Sequence, residues 1–446
     1  MVPFPISVGD GSEFVAKTAF PYAIFSKKDT PPVIIQLLEG APDGSYDGTV
    51  INNSISQLEY KFSNAIQKLS SSERKRIGIL TSNGTKVGPS FYHMSSELTR
   101  YYALDAVDLD STDLIPSSYP LLIIQDPSET FTTDNLFAID QYVMNGGNVL
   151  WYLNTVNVNL DSIRARGEHI SIARDINIDN LLFKYGVRLN SDLVLDLESS
   201  SIPQVSSVVN GKPKFENRPW VYHVLGQVQG NSPITYGVDR VDLDFPSSID
   251  TVKMDGDVKR TVFLSSSPYS KTQNVPITIS TDITRANPDP ALFNEGPFIL
   301  GLLSEGKFPS FFRNRVTSNQ QDILKKSQLS YRETGSHSIQ VVVTDADFVK
   351  TNYTARNGEP LPLGANKWER KVYQGNYNLL VNTIEYMMGN GPLLTSKSKS
   401  IKVRMLDTVK AKAEKGKWQL LNLGLPLLFL IVVGIGYNIV RKRRYG

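Results

Sequence analysis

Apolar positions along this chain fall into two rhythms. Short solid runs come first: PVIIQLL (Pro32–Leu38), IGIL (Ile77–Leu80), LDAVDL (Leu104–Leu109), YPLLIIQDP (Tyr119–Pro127) and NVLWYLN (Asn148–Asn154). Runs of this length closed by breakers predict strands, and runs without alternation predict parallel strands covered on both faces. Helical spacing lies between and around them. Ile55, Leu58, Phe62, Ile66 and Leu69 recur at 3, 4, 4 and 3 and form one apolar stripe of an amphipathic helix. Phe91, Met94, Leu98 and Tyr101 predict a second helix, and Leu136, Ile139 and Val143 a third that stops at Gly146–Gly147. NIDNLLFKYG (Asn177–Gly186) is a short helix ended by glycine. Repeated βα units imply a mostly parallel sheet with helices on both faces.

The rhythm changes after residue 200. SSSIPQVSSVVNGKPKF reads as a loop or boundary, and residues 268–337, rich in polar residues and proline, read as loops. Strands are expected at RTVFLSSS (Arg260–Ser267) and SIQVVVTDADF (Ser338–Phe348). A helix is expected at NYNLLVNTIEYMMG, with Leu379, Leu380, Thr383, Ile384 and Met387 on one face and Gly389 as its stop. The expected organisation is an N-terminal strand and amphipathic helix packing on the body (1–70), a doubly wound α/β domain (71–210) and a second α/β region (211–395). A basic juxtamembrane segment (396–417), a transmembrane helix (418–440) and a short tail (441–446) complete it.

The tail changes the picture most. Trp418 to Val440 is 23 residues without a charge. At about 1.5 Å per residue a helix of that length exceeds the roughly 30 Å hydrocarbon core of a bilayer. Gly424, Gly434 and Gly436 are candidates for close packing against another membrane helix. Arg441, Lys442, Arg443 and Arg444 favour a cytoplasmic C-terminus, which places the large body on the other side. Residues 1–40 hold no apolar stretch of the kind a signal peptide needs. The expectation is therefore either a tail-anchored cytoplasmic body or a chain lacking an N-terminal span.

Charge points the same way. The chain carries net +3, yet twelve Lys and Arg stand against Asp407 and Glu414 from Ser396 onward, a local +10 that leaves −7 on the remainder. A mildly acidic body does not suit nucleic acid, whereas a basic segment beside an apolar run suits a membrane surface. The absence of cysteine excludes disulfides, thiolate metal sites and cysteine nucleophiles.

Sheets of this type hold ligands at the carboxyl ends of their strands. The residues there are Thr81, Ser82 and Asn83 after the first strand of the doubly wound domain, Asp126 after the third and Asn154 after the fourth, with Asp345 and Asp347 late in the chain. They form the candidate ligand or partner face. The competing reading is local: Ser-Asn-Gly makes a turn by its own chemistry, Asp-Pro ends a strand, and Asp-x-Asp caps the next segment. No GxxxxGK[ST], strand–helix GxGxxG or GxSxG is present, and His93, His169, His223 and His337 form no local metal motif. No catalytic, cofactor or metal residues are assigned, and the pattern favours a binding or scaffold role.

Several stretches resemble the gliding-motility-associated ABC-transporter auxiliary family of the Bacteroidetes (GldG-type). They are NNSISQLEYKFSNAIQKL, RIGILTSNG, NGGNVLWYLNTVNVNLDSI, DINIDNLLFKYGVRLNSDLVLDL, GLLSEGKFPSFF and the pairing of VVVTDADFV with GNYNLLVNTIEYMMG. The resemblance implies a flavodoxin-like sheet similar to class I glutamine amidotransferases, here without their nucleophilic cysteine. It implies a periplasmic domain anchored in the inner membrane, an ABC permease and an ABC ATPase as partners, and no cofactor. Family members carry a membrane helix before the N-terminal strand, which this chain does not have. Two other readings stay open: a membrane-tethered hydrolase using Asp126, Asp345 and Asp347 on cell-envelope polymers, and a tail-anchored cytoplasmic adaptor.

Overall fold

A computed structural model describes residues 4–9, 14–28, 30, 32–38, 48–70, 74–85, 87–285, 288–354, 357–399, 410–411 and 414–446. Most of the basic segment 396–417 lies outside the described residues. The chain divides into two compact units, Met1–Lys402 and Val403–Gly446.

The first unit is organised by one mixed sheet. Its parallel half contains Arg76–Leu80 (β1), Ala103–Val107 (β2), Leu121–Gln125 (β3) and Asn148–Tyr152 (β4). Its other strands are Ser199–Val209 (β5), Lys212–Val228 (β6), Val241–Asp244 (β7), Val258–Ser265 (β8), Ile299–Pro309 (β9) and Thr334–Val343 (β10). The order across the sheet is β5-β6-β8-β9-β10-β4-β3-β1-β2, with β7 beside β6. From β10 to β2 every pairing is parallel; from β5 to β10 every pairing is antiparallel. The sheet is thus continuous across the change of rhythm near residue 200.

Both faces are buried, as solid apolar strands require. Leu122, Ile124, Val149, Trp151, Leu302 and Val342 join a core under the helix Thr133–Met144. Their neighbours Leu121, Ile123, Leu150, Tyr152, Leu303 and Val341 join the core on the opposite face, with the helices Tyr92–Thr99 and Gln374–Glu385. Strand alternation divides the residues between the two. The Thr133–Met144 helix starts on a capping box, Thr132 with Asn135.

Three expectations are corrected. Residues 199–215 are not a loop: β5 and β6 pair as a hairpin whose turn, Asn210-Gly211, has φ of 50° and 74°. Asn-Gly is the residue pair such a turn selects, so the signal was present in the sequence. Residues 268–337 hold β9, a central strand, and a helix, Ser318–Lys326. In β9, Ser304, Glu305, Gly306 and Lys307 interrupt the apolar run, although Ser304 is buried. Finally, the stripe on the helix Leu58–Ser70 (α1) faces the body only in part. Phe62 and Ile66 are 37% and 55% exposed, while Tyr60, Ala65 and Leu69 are buried. The docking is polar: Lys68 Nζ lies 2.8 Å from Glu385 Oε1 and 3.2 Å from the Tyr101 ring centre, and Lys397 Nζ sits 4.0 Å from the Tyr60 ring centre.

The core under the Thr133–Met144 helix also encloses a carboxyl group. Asp140 is fully buried and accepts from Tyr185 Oη at 2.9 Å, Ser310 Oγ at 2.7 Å, the Phe311 amide at 2.8 Å and Gln141 Nε2 at 3.0 Å. Burial pushes its carboxyl above the usual range, and the four donors oppose that. Replacing Asp140 by Ala strands these donors and opens a hole. Its expected cost is about 2–5 kcal/mol of unfolding free energy. Urea titration of the detergent-solubilised chain measures it; a loss below about 1 kcal/mol would mean the donors find other partners.

Candidate functional site

The loops after β1, β3, β4 and β10 meet at one end of the sheet, and two separate arrangements form there. In the first, Ser82 and Asn83 are buried and used internally. Ser82 Oγ donates to Asn83 Oδ1 at 3.0 Å and accepts from the Leu109 amide at 3.1 Å. Asn83 Nδ2 donates to Asn135 Oδ1 at 3.3 Å, and Asn135 Nδ2 donates to the Leu109 carbonyl at 3.1 Å. Asn83 has φ 58° and Gly84 φ 64°, and a Cβ on Gly84 would meet Ser128 Oγ at 2.3 Å. The turn stitches loops together and leaves little polar capacity facing outward.

The second arrangement gathers Asp126, Asn154, Asp345 and Asp347. The Asn154 amide is its centre. Nδ2 donates to Asp126 Oδ1 at 3.0 Å and reaches Asp347 Oδ2 at 3.4 Å, while Oδ1 accepts from the Ala346 amide at 2.9 Å. The two carboxylates it bridges are therefore no more than about 6.4 Å apart, the sum of those two bonds. Each acid has a cation. Arg174 Nη1 donates to Asp126 Oδ1 at 2.5 Å, and Lys350 Nζ lies 3.2 Å from Asp347 Oδ1. Asp345 is fully buried; its oxygens accept from the Asp244 amide at 2.8 Å and the Asp347 amide at 2.7 Å. Burial, with Asp347 and Asp244 nearby, pushes the Asp345 carboxyl well above the usual range. Burial also raises Asp347, and Lys350 opposes it. Among the described residues no group of three or more His, Cys, Asp or Glu has the arrangement of a metal site.

Beside this face lies a cavity of about 270 Å³ between β6, β7 and the loop around Asn366. Trp220 and His223 from β6, Asp242 and Asp244 from β7, and Asn366 and Trp368 line it. Asp242 accepts from Ser200 Oγ at 2.7 Å, and burial together with Asp244 pushes its carboxyl well above the usual range. Neither Arg174 nor this cavity was found from the sequence. Arg174 follows a largely exposed strand, Glu168–Ala173, with no distinguishing pattern. Asp242-x-Asp244, however, carries the period of two that puts both on one face of a strand.

The second unit contains a 31-residue helix, Lys415–Tyr445, long and apolar enough to cross a membrane. At about 100° per residue, Gly424 and Gly434 fall within about 80° of each other, and Gly436 lies on a different side. Arg441, Lys442, Arg443 and Arg444 close its C-terminal end.

These features define a mixed α/β protein with a candidate membrane helix at its C-terminal end. The family model described as ABC-type uncharacterized transport system matches residues 74–383, and the chain belongs to that family. The matched span includes the whole mixed sheet and every residue of the strand-end face. Membership links the chain to the components of an ABC transport system. No curated protein matches the chain. The solved mmIFT52 N-terminal domain aligns at 13% identity with a TM-score of 0.37, over 70% of this chain and 97% of that one.

The buried acids set a pH dependence. In the folded chain Asp345 and Asp242 hold their protons to higher pH than the roughly 3.9 of an unfolded aspartate. Their contribution to stability is complete below that value and is lost as pH rises through the folded-state values. Unfolding free energy is expected to fall as pH rises from about 4 toward neutrality. Asp345→Asn should flatten part of that fall, whatever constant offset it adds. Urea titrations of both chains across this range decide it, and parallel pH profiles would refute the assignment.

Proposed function

We propose that this chain is a non-catalytic, membrane-anchored auxiliary subunit of an ABC transporter associated with gliding motility. Its body lies in the periplasm and binds a substrate or an envelope partner, and an ABC permease and an ABC ATPase are its partners in the inner membrane. The family match over residues 74–383 carries this reading. The apolar helix Lys415–Tyr445 supports the anchor, and the four cations at its end support a cytoplasmic C-terminus. The strand order β2-β1-β3-β4-β10 in the parallel half supports a flavodoxin-like core, which holds ligands at the carboxyl ends of its strands. Asp126, Asn154, Asp345 and Asp347 meet at that end and serve as a binding face, with Ser82 and Asn83 behind it.

The same geometry bears on the hydrolase reading. Asp126 and Asp347 are close enough for a pair of catalytic carboxyls. Yet Asp126 is buried and held by Arg174, and Asp345 spends both oxygens on backbone amides. Neither is placed to give or take a proton from a polymer. Compensated charge at fixed positions suits recognition better. In the mechanism that follows, ATP hydrolysis in the partner shifts the complex between two states, and the body binds its ligand differently in each.

The test is gentle purification of the tagged chain from its native membranes, followed by identification of the proteins that accompany it. An ABC ATPase and a multi-span permease are expected. Recovery of the chain alone, from membranes in which other complexes survive, would overturn the subunit reading. The absence of cysteine allows a second test, a single cysteine placed at Gly446. In sealed cells it should resist a membrane-impermeant thiol reagent; ready labelling would reverse the orientation.

A further inference from the structure

The cavity between β6 and β7 has a lining more specific than its neighbours require. Two ring nitrogens beside it, Trp220 Nε1 and His223 Nε2, are buried and make no hydrogen bond. Both residues are more than nine-tenths buried, at 2% and 7% exposure. His223 Nε2 stands 3.5 Å from Asp244 Oδ1, close enough for attraction but not aligned as a donor to it. Buried polar atoms of this kind are normally satisfied by protein, water or ligand.

We propose that this cavity binds a small neutral polyhydroxylated molecule, a mono- or disaccharide in chemical class. The inference rests on the reading of the body as a binding module and names the ligand of that module. Three observations support it. One wall offers aromatic surface: Trp368 keeps 37% of its surface exposed, while Trp220, 2% exposed, packs against His223 and Phe245 with ring centres at 4.7 and 5.2 Å. Flat aromatic walls take the C–H faces of a sugar ring. Side chains able to engage a hydroxyl group border the cavity, the carboxyl of Asp244 and the amides of Gln204 and Asn352, while Asn366 is held by Asp242 and by the Trp368 and Glu369 amides.

The charge balance is the third observation. Asp242 accepts from Ser200 Oγ at 2.7 Å, and burial, with Asp244 beside it, holds it toward its neutral form. Lys367 also lines the cavity and lies 4.7 Å from the Trp368 ring centre, opposite in charge to Asp244. An organic cation would compete with Lys367, and an anion would meet Asp244. A neutral ligand with hydroxyl groups meets neither penalty. A volume of about 270 Å³ sits just below the usual range of small-molecule sites and suits one or two rings.

The test uses the full chain in lipid nanodiscs, because alkyl glycoside detergents would themselves present sugar. Intrinsic tryptophan fluorescence is titrated with glucose, galactose, N-acetylglucosamine and cellobiose, and separately with choline chloride. Of the four tryptophans, two line the cavity, Trp151 is in the core and Trp418 is in the apolar helix. At least one sugar is expected to shift the emission saturably. Asp244→Asn and Trp368→Phe should each weaken that binding about tenfold or more, and Trp418→Phe should leave it unchanged. Thermal melts of each variant separate loss of binding from loss of fold. No saturable change with any sugar up to tens of millimolar, equal binding by Asp244→Asn, or binding of choline in place of the sugars would overturn the proposal. Failure here with an ATPase and permease still co-purifying would leave the subunit reading intact and reject the ligand alone.

Discussion

The structure depends on one parallel pairing, Gln340–Val343 of β10 against Val149–Tyr152 of β4. It joins segments 191 residues apart in sequence and fuses the parallel half of the sheet to the antiparallel half. Three polar contacts define its register: Trp151 Nε1 donates to Gln340 Oε1 at 2.8 Å, Ser338 Oγ to the Gly147 carbonyl at 2.6 Å and the Ile339 amide to Asn148 Oδ1 at 2.8 Å. A slip by one residue would turn Val341 and Val343 to the wrong core and break all three. The same pairing brings Asp345 and Asp347, which follow β10, beside Asn154, which follows β4. The strand-end face is thus a direct product of register.

That face is notable for how its charge is handled. Carboxylates crowded at the end of a sheet repel one another and resist burial. Here Arg174 and Lys350 offset two of them, backbone amides hold a third, and a single amide side chain ties the set together. Every member is positioned by something other than a ligand. A partner meeting this surface finds its charges already ordered, so little conformational freedom is lost when it binds.

What could be read from the sequence follows from how each element is buried. The parallel strands were legible because both of their faces are covered, so LLII and NVLWY stand out as solid apolar runs. The strand-end acids were legible because a parallel sheet gathers the residues that follow its strands. Central β9 was hidden because burying Ser304 and carrying Gly306 at φ 148° depend on tertiary partners that leave no local mark. The helix α1 misled for the opposite reason. Its apolar stripe is real, but Lys68 with Glu385 and Lys397 with Tyr60 win the docking face. Periodicity reveals an apolar face without saying what covers it. Arg174 and the buried ring nitrogens of Trp220 and His223 acquire meaning through contacts distant in sequence.

The β5–β6 hairpin has a consequence of its own. Val205 to Asn217 are exposed on both faces of the ribbon, so its outer part has no core beneath it. Two strands without a covered face are only marginally stable in water. The Asn210-Gly211 turn and the cross-strand pair Val205–Phe215 hold its end together, while its root is built into the mixed sheet. The outer ribbon can therefore open and close on its own timescale while the body stays folded. A protein that grips it can bend or extend it without drawing on the stability of the sheet, which makes the ribbon a compliant joint attached to a stiff frame.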